Sequence, residues 1–182
     1  SLLDSFTQEL ISTGEKLMIF RRQLVEKISP LVRLGYRKIA PKMEDAKVEY
    51  KPSVREDFVI ELNRSREREL RYRSTIIGPH RDDLTILLGS LHSRSHASQG
   101  EQRSLALALR LASYVYIEEV TGDQSVVLLD DVFSELDENR ARRLVACLPD
   151  SQIILTSATG TVPEGIEPGQ TVQIIEGQIH AT

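Results

Sequence analysis

Features that would assign this chain to several common protein classes are scarce or missing. Its single cysteine, Cys147, excludes an intrachain disulfide and fits a reducing, cytoplasmic setting. No apolar run approaches the roughly 18 residues that a membrane span needs, and no secretory signal opens the chain. Lysine is absent after Lys51. We therefore expect a cytoplasmic protein with no membrane partner.

What is present supports a folded core and an uneven charge. Hydrophobic residues make up 40% of the 182 residues, which is enough for a buried core. The net charge of −4 divides into +3 over residues 1–52 and −7 over residues 53–182. A pI near 5.6 is the opposite of a simple basic nucleic-acid domain. The chain opens on "SLLDSF", without methionine and in the middle of a helical pattern, so we expect a piece of a longer polypeptide.

The amino-terminal part carries an apolar repeat at alternating steps of three and four, which predicts a long helix with a heptad seam. The seam consists of Leu3, Phe6, Leu10, Leu17, Phe20 and Leu24, with Thr13 in one slot. It fits either the base of a coiled-coil arm or a helix packed on a neighbour in a globular bundle. We expect Gly14 to weaken the helix and Pro30 to kink or end it, with a second helical stretch stopping before Pro41.

The middle of the chain predicts a strand, a charged helix, a hairpin and a long helix. These elements are expected over 46–52, 53–70, 71–93 with its turn at Gly78-Pro79, and 98–120. Beyond the break at Gly122, a buried strand, a helix and another strand are expected over 126–129, 138–147 and 152–156. This order indicates a parallel α/β sheet, and a hairpin turning at Gly177 follows.

The segment "VVLLDD" (126–131) ends an apolar strand in two carboxylates. A parallel strand delivers its carboxyl end to the edge of the sheet where ligands bind. Asp130 is therefore a candidate Mg²⁺ ligand, and Asp131 is placed to orient an attacking water. The alternative is that one or both acids simply cap the next loop.

The segment "SQGEQRSLALALRLA" opens with a capping box, in which Ser98 and Glu101 stand at a helix start. Gly100 would let a phosphate approach the backbone, and free N–H groups with the helix dipole favour an anion there. An ordinary capped helix packed on a core explains the same residues equally well.

In order along the chain, "SQGEQ", "VVLLDD", "SELD" and "ILTS" resemble the signature motif, Walker B, D-loop and switch region of an ABC-type ATPase head. With "GPHRDD" upstream, the set is similar to the RecF family, which is related to SMC proteins. The fold class that the resemblance implies is α/β, the carboxyl-terminal half of an ABC/SMC-type head with a parallel βαβ core preceded by long arm helices. The regions implied are arm helices over 1–52, a signature-bearing lobe over 53–120 and the Walker B and D-loop part over 121–182.

The resemblance also implies roles for these residues. ATP would be bound between two heads of an ATP-dependent homodimer, and the signature would contact the nucleotide of the opposite subunit. That contact would use the signature residues Ser98, Gln99, Gly100, Glu101 and Gln102. Asp130 would hold Mg²⁺, and Asp131 would take the catalytic position. In the D-loop, Ser134 would take part and Asp137 would reach across the dimer. Ser157 falls near the switch position, where most ABC proteins have histidine, so we expect slow hydrolysis.

One expected part of such a site is missing from the sequence. A phosphate loop, G-x-x-x-x-G-K-[ST], occurs nowhere, and no lysine follows Lys51. In the RecF family that loop lies ahead of everything present here. We therefore expect the full-length protein to be a slow ATPase and this chain alone to be inactive.

The resemblance implies DNA as a partner, as duplex that is gapped or has a single-strand junction, together with RecO and RecR in recombinational repair. Arg64, Arg68 and Arg71 share one helical face and are candidate phosphate contacts. Interleaved glutamates favour instead a plain solvated helix with internal ion pairs. The processes that the resemblance implies are DNA replication, DNA repair and the SOS response.

Two other functions fit parts of the sequence. A non-catalytic, SMC-like interaction module, made of a coiled-coil base and half a head, would explain the missing phosphate loop. A metal-dependent phosphodiesterase would use His80 and Asp82 with Asp130 and Asp131, and it predicts divalent metal bound without nucleotide. Asp83 could belong to the same H-x-D group, although a Gly-Pro turn explains these residue types as well.

Overall fold

The computed structural model describes residues 2–40 and 44–181, with side chains described over 5–40 and 44–180. The chain divides into two compact units, Ser1–Asp123 and Gln124–Thr182. The elements of the first are α1 Leu2–Ile39, β1 Ala46–Lys51, α2 Phe58–Tyr72, a 3-10 turn Pro79–Arg81, β2 Asp83–Leu88, β3 Leu91–His92, α3 Ser93–His96 and α4 Gln99–Thr121. Those of the second are β4 Val127–Asp130, a 3-10 turn Val132–Glu135, α5 Glu138–Val145, β5 Ile153–Thr156, β6 Val172–Ile175 and β7 Gln178–Ala181.

Helix α1 is a single helix of 38 residues, with Pro30 inside it. Of the two expectations for Pro30, a kink or an end, the end with a second helix following is wrong, and the kink stays a prediction. An interior proline costs about 3 kcal/mol, but packing can outweigh it. Ile28 and Val32, on either side of the proline, are both buried and supply such packing. The helix ends at Ile39, as expected before Pro41, which lies outside the described residues.

The buried face of α1 differs from the heptad seam. Its core positions are Met18, Val25, Ile28, Val32, Tyr36 and Ile39. Of the seam, Phe6 and Phe20 are 60% and 65% exposed, and Leu10 is partly buried. Leu3 lies outside the described side chains. The seam residues therefore form a largely exposed apolar stripe beside the packed face, and the coiled-coil interpretation stays a prediction.

Gly14 has a packing role that its low helix propensity does not suggest. A Cβ atom at this position would lie 2.9 Å from Phe58 Cε1 and 3.3 Å from Pro79 Cδ. Only a residue without a side chain lets α1 pass this close to α2 and the 3-10 turn. At Gly35 the packing is looser, because an added Cβ would lie 3.5 Å from the backbone of Ala108 in α4, an ordinary van der Waals contact.

The hairpin expected over 71–93 is displaced along the chain. Helix α2 continues to Tyr72, and Arg73 ends it in a left-handed conformation with φ 51°. The Glu69 carboxylate then accepts the Ile76 N–H at 2.8 Å, so this stretch forms a helix end and no strand. The antiparallel sheet has the order β1-β2-β3, and the turn between β2 and β3 lies at Gly89, not Gly78.

The second unit confirms the predicted parallel pair. Strands β4 and β5 are parallel, with Val127 opposite Ile153 and Asp130 opposite Thr156, and α5 lies between them in the chain. The β6–β7 hairpin turns at Gly177, as expected. The burial expected for the strand over 126–129 is wrong except at Leu129, because Val126 is 50% and Leu128 69% exposed. The two-stranded sheet is open to solvent there.

Within the described residues, no helix is both long and apolar enough to cross a membrane.

Candidate functional site

Asp130 is the last residue of β4, as the sequence predicts, and its side chain is exposed. The Thr156 hydroxyl, at the end of the neighbouring strand, donates to Asp130 Oδ1 at 2.6 Å. The same hydroxyl accepts the backbone N–H of Asp131 at 3.0 Å. One threonine therefore contacts both members of the acidic pair.

Asp131 adopts a left-handed backbone with φ 47° and ψ 26°, which is uncommon for a residue other than glycine and costs least for Asn and Asp. The Ser134 hydroxyl lies 2.9 Å from Asp131 Oδ2 and 2.8 Å from the Asp131 carbonyl oxygen. Ser134, the first residue of the D-loop, is therefore hydrogen-bonded to Asp131 of the same subunit.

Asp137, the last D-loop residue, is the N-cap of α5 and accepts the Arg140 N–H at 2.9 Å. This hydrogen bond and the Arg140 guanidinium hold the pKa of Asp137 below its ordinary value. Its carboxylate therefore remains charged at neutral pH. Ser157 follows β5, and its hydroxyl lies 3.2 Å from Thr159 Oγ1.

The described residues contain no group of three or more His, Cys, Asp or Glu side chains that could hold a metal ion. Mg²⁺ does not need such a group when phosphate oxygens and waters complete its shell. The donor set at the end of β4 fits that mode of binding, because Asp130 Oδ1 bonds to Thr156 and the rest of the carboxylate faces solvent.

The start of α4 has the predicted capping box. Ser98 Oγ accepts the Glu101 N–H at 3.3 Å, and Glu101 Oε2 accepts the Ser98 N–H at 2.8 Å. The Ser98 hydroxyl also donates to Glu101 Oε2 at 2.8 Å. Ser98 is exposed, so its hydroxyl could exchange this internal partner for an external acceptor.

The next residues leave the helix start open to an anion. The N–H groups of Gln99 and Gly100, in the first turn, have no intrahelical acceptor. Gln102 Nε2 donates to the Ala97 carbonyl at 3.1 Å and fixes the loop before the helix. The Ser104 hydroxyl, fully buried one turn later, donates to the Gly100 carbonyl at 2.9 Å. Two backbone donors and the helix dipole therefore face one exposed end of α4.

The other acidic pair of the chain, Asp82 and Asp83 in "GPHRDD", is bonded within the fold. The Asp82 side chain is 2% exposed, and its oxygens accept hydrogen bonds from Arg21 at 3.1 Å, from the Ser53 N–H at 2.8 Å and from the Tyr50 hydroxyl. Asp83 accepts the N–H of the following residue, Leu84, at 2.8 Å. Asp82 thus joins α1, β1 and the 3-10 turn.

These contacts remove Asp82 from any metal site shared with His80. The His80 ring lies 2.9 Å from the Thr75 carbonyl, and the residue is exposed. The phosphodiesterase hypothesis loses one of its four ligands because every donor around Asp82 belongs to the fold. Sequence analysis could not assign this block, since nothing local indicates Arg21 and Tyr50 as partners.

The buried carboxylate perturbs its neighbours' titration. Burial alone would raise the pKa of Asp82, but the hydrogen bonds from Ser53, Tyr50 and Arg21 outweigh it and hold the pKa below its ordinary value. Burial and the Asp82 carboxylate raise the pKa of Tyr50 to about 12. The cluster is therefore an ionised aspartate held by neutral and cationic donors.

Arg64, Arg68 and Arg71 are all exposed on α2, as their spacing predicts. Arg64 and Arg68 line an open pocket of about 260 Å³ together with Arg55, Glu56, Glu61, Ser65 and Ile77. Arg64 pairs with Glu56 at 3.4 Å, and the Glu61 carboxylate accepts the N–H groups of Arg55 and Glu56 at 2.6 Å each. Three arginines against two glutamates in the lining leave the pocket with one positive charge in excess.

Thr156 is the functional candidate that sequence reasoning missed. The signal was present, because a strand aligned with "VLLD" in a parallel pair places the residue at the end of "ILT" beside the first aspartate. Predicting the strand boundary to one residue was needed to find it.

No protein-family model matches the chain. Curated proteins named DNA replication and repair protein RecF match nearly all of it. The relative from Streptomyces avermitilis is 35% identical over 190 residues, covering 98% of this chain and 51% of that protein. The relative from Lachnoclostridium phytofermentans is 36% identical with the same coverage. The chain therefore spans about half the length of the curated relatives it matches.

Solved structures agree. The recombination mediator protein RecF of the RecFOR pathway, solved as RecF-ATPrS, superposes with a TM-score of 0.81 at 30% identity, covering 99% of this chain and 50% of that one. The RecF-ATP structure gives 0.80. An SMC ATPase studied for ATP-driven dimerization matches at 0.56 and 14% identity, which shows a shared fold alone. The α/β elements are those of an ABC/SMC-type ATPase head, and in sequence and fold together the chain belongs to the RecF family.

Proposed function

We propose that this chain is the carboxyl-terminal part of an ATP-dependent DNA replication and repair protein, which closes as a dimeric clamp on gapped duplex DNA. The observation that carries the proposal is the pair of polar ends. An anion-ready helix start at Ser98 and an exposed acidic strand end at Asp130 occur in a chain that matches RecF proteins over 98% of its length. The relatives' structures contain ATP or ATPrS, which supports a nucleotide as the ligand.

In this proposal each end has its own role. The N–H groups of Gln99 and Gly100 and the Ser98 hydroxyl bind the γ-phosphate of ATP held by the second subunit, with Glu101 and Gln102 keeping the loop in place. Asp130 is the residue that would hold Mg²⁺, whose charge offsets that of the phosphates when it is bound. Asp131 accepts a proton from, or orients, the attacking water.

The remaining candidates support the dimer. Asp137, charged at neutral pH, reaches the second subunit. Ser134, in the same loop, links the dimer contact to Asp131 through its hydrogen bond to that carboxylate. Ser157 stands near the γ-phosphate as a weak sensor. With a serine there in place of histidine, slow turnover is expected. Because the D-loop contacts both the second subunit and Asp131, hydrolysis depends on closure of the dimer.

DNA enters the proposal through the positive pocket on α2. Arg64, Arg68 and Arg71 contact phosphates of the duplex, and the excess charge beside Glu56 and Glu61 favours an anion over a cation there. RecO and RecR are the proposed partners at the gap, since the related structures belong to a RecFOR pathway.

The experiment uses the full-length gene product. Changing Ser98 to Arg should abolish the ATP-dependent dimer in sedimentation while leaving ATP binding to the monomer within about threefold, because the signature acts on the second subunit's nucleotide. Gln124→Arg, in the second unit, is the matched surface control. A dimer that forms equally with Ser98→Arg would overturn the role of the signature.

The non-catalytic module is the second candidate. It predicts no ATP-dependent change in oligomeric state even for the full-length wild-type protein. The sedimentation experiment therefore separates the two functions.

A further inference from the structure

Thr156 lies in the "ILTS" stretch, where the resemblance gives a role to Ser157 and none to Thr156. It lies opposite Asp130 in the parallel β4–β5 register. Its hydroxyl has one hydrogen and two lone pairs, and the two contacts use the hydrogen for Asp130 Oδ1 and one lone pair for the Asp131 N–H. A single oxygen therefore fixes a side-chain orientation and a backbone orientation at once.

The backbone contact matters because the conformation of Asp131 is strained. A left-handed conformation costs a non-glycine residue about 1 kcal/mol or more, and it must be held by surrounding contacts. The contacts that hold it include the Thr156 hydroxyl on the N–H, the Ser134 hydroxyl on the carbonyl and carboxylate, and the Ser134 N–H on the carbonyl at 3.3 Å. Loss of the first lets the Asp131 peptide rotate and carries its carboxylate away from its place.

The side-chain contact restricts Asp130 in the same way. With Oδ1 bonded to Thr156, the carboxylate presents its other oxygen outward in a single orientation. Partners of this kind orient a ligating carboxylate, and their loss typically costs about 10- to 100-fold in metal affinity or activity.

We propose that Thr156 is the positioning residue of the acidic pair, holding Asp130 and Asp131 in one mutual arrangement through a single bridging hydroxyl. The proposal rests on the proposed ATPase function for its catalytic consequence and on the geometry alone for its structural one. Thr156 acts through the two aspartates.

The test compares Thr156→Val, Thr156→Ser and the wild type in the full-length protein. Valine keeps the shape and removes the hydroxyl, whereas serine keeps the hydroxyl. The control is Thr161→Val, which removes another hydroxyl of the same segment, bonded to Thr159 and to neither aspartate. Thermal melting first establishes that all four proteins are folded.

The first readout is amide hydrogen exchange at residue 131 without nucleotide. A net hydrogen bond of about 1 kcal/mol slows exchange roughly fivefold, so Thr156→Val should exchange about that much faster while Thr156→Ser and Thr161→Val match the wild type. Equal exchange in all four proteins overturns the bridging role. If Thr156→Val does not fold, the serine variant alone decides, because exchange as fast as in an unprotected peptide in that variant also overturns it.

The second readout is ATP turnover against Mg²⁺ concentration. Thr156→Val should lower kcat about 10- to 100-fold and shift the half-saturating Mg²⁺ concentration upward, with ATP binding within about threefold and recovery in Thr156→Ser. Unchanged turnover together with faster exchange would make Thr156 a structural residue only and overturn its positioning role. A wild-type protein that hydrolyses no ATP would instead overturn the proposed function, and the exchange readout would still decide the bridge.

Discussion

The chain contains two Asp-Asp pairs, at 82–83 and at 130–131, which look alike in the sequence but whose first members have opposite surroundings. The Asp82 side chain is buried and accepts hydrogen bonds from α1 and β1. The side chains of Asp130 and Asp131 are exposed at the end of a strand, where they accept hydrogen bonds from the hydroxyls of Thr156 and Ser134. The comparison teaches that a carboxylate surrounded by its own donors stabilises the fold, whereas one with free lone pairs is left for a ligand.

The largest expected effect tests the structural pair. Asp82→Ala leaves the Tyr50 hydroxyl, the Ser53 N–H and the Arg21 guanidinium without an acceptor, and each lost bond to a charged group costs about 1.5–3 kcal/mol before relaxation. Because Arg21 is partly exposed and recovers water, we expect a loss of about 3 kcal/mol in the free energy of unfolding. Urea denaturation measures it.

The control for that experiment is Asp83→Ala, which should cost about 1 kcal/mol or less because Asp83 bonds only to its neighbour's N–H. Equal losses at the two positions would break the assignment of Asp82 as the structural member of its pair.

The second effect tests the exposed pair. Asp131→Asn in the full-length protein should lower ATP turnover roughly 100-fold, the scale of a lost general base, while ATP binding persists and the dimer on DNA lasts longer. Asparagine tolerates the left-handed backbone, so the fold should not change. Steady-state kinetics and dimer lifetime on gapped duplex measure these effects, and unchanged turnover would remove Asp131 from the catalytic role.

A third prediction uses pH to sharpen the contrast. The pKa of Tyr50 is raised to about 12 in the fold, so its contribution to stability is complete below pH 10 and is lost as pH rises toward 12. The pKa of Asp82 is lowered, so its contribution is complete above its ordinary value of 3.8 and is lost as pH falls below it.

Urea midpoints measured across both windows should fall at each end in the wild type. Tyr50→Phe should flatten the alkaline fall and Asp82→Asn the acid one. An unchanged alkaline fall in Tyr50→Phe would contradict the cluster's role.

The smallest expected effect completes the comparison. Asp130→Asn should change the free energy of unfolding by no more than about 0.5 kcal/mol, since an exposed side chain away from packing contributes little. The substitution is made in the same parent protein as Asp82→Ala, and differential scanning calorimetry measures the change. A loss comparable to that of Asp82→Ala would mean that both pairs are structural.

Features that depend on neighbouring residues could be predicted from the sequence, and those that depend on distant residues could not. The capping box at Ser98, the helix stop at Gly122, the parallel strands and the final hairpin depend on residues close in the chain, and the structure confirms them. The Asp82 cluster depends on Arg21, 61 positions away, and no local pattern indicates it.

Two errors have the same origin. Pro30 was expected to kink or end a helix by its own chemistry, but α1 continues through it with buried neighbours on either side. The segment before Gly78 was expected to be a strand, but α2 continues to Tyr72 and the Glu69 carboxylate accepts the Ile76 N–H beyond it. In both places tertiary contacts outweigh local preference.

The close passage at Gly14 has a consequence for how far α1 is supported. None of the described side chains over 5–13 is fully buried. The twelve helical residues ahead of Gly14 extend about 18 Å at 1.5 Å per residue. Within them, Leu10 and Ile11 are partly buried against a cluster that includes Phe58. The absence of a side chain at Gly14 thus lets the contact between α1 and the start of α2 continue about one helical turn toward the amino terminus.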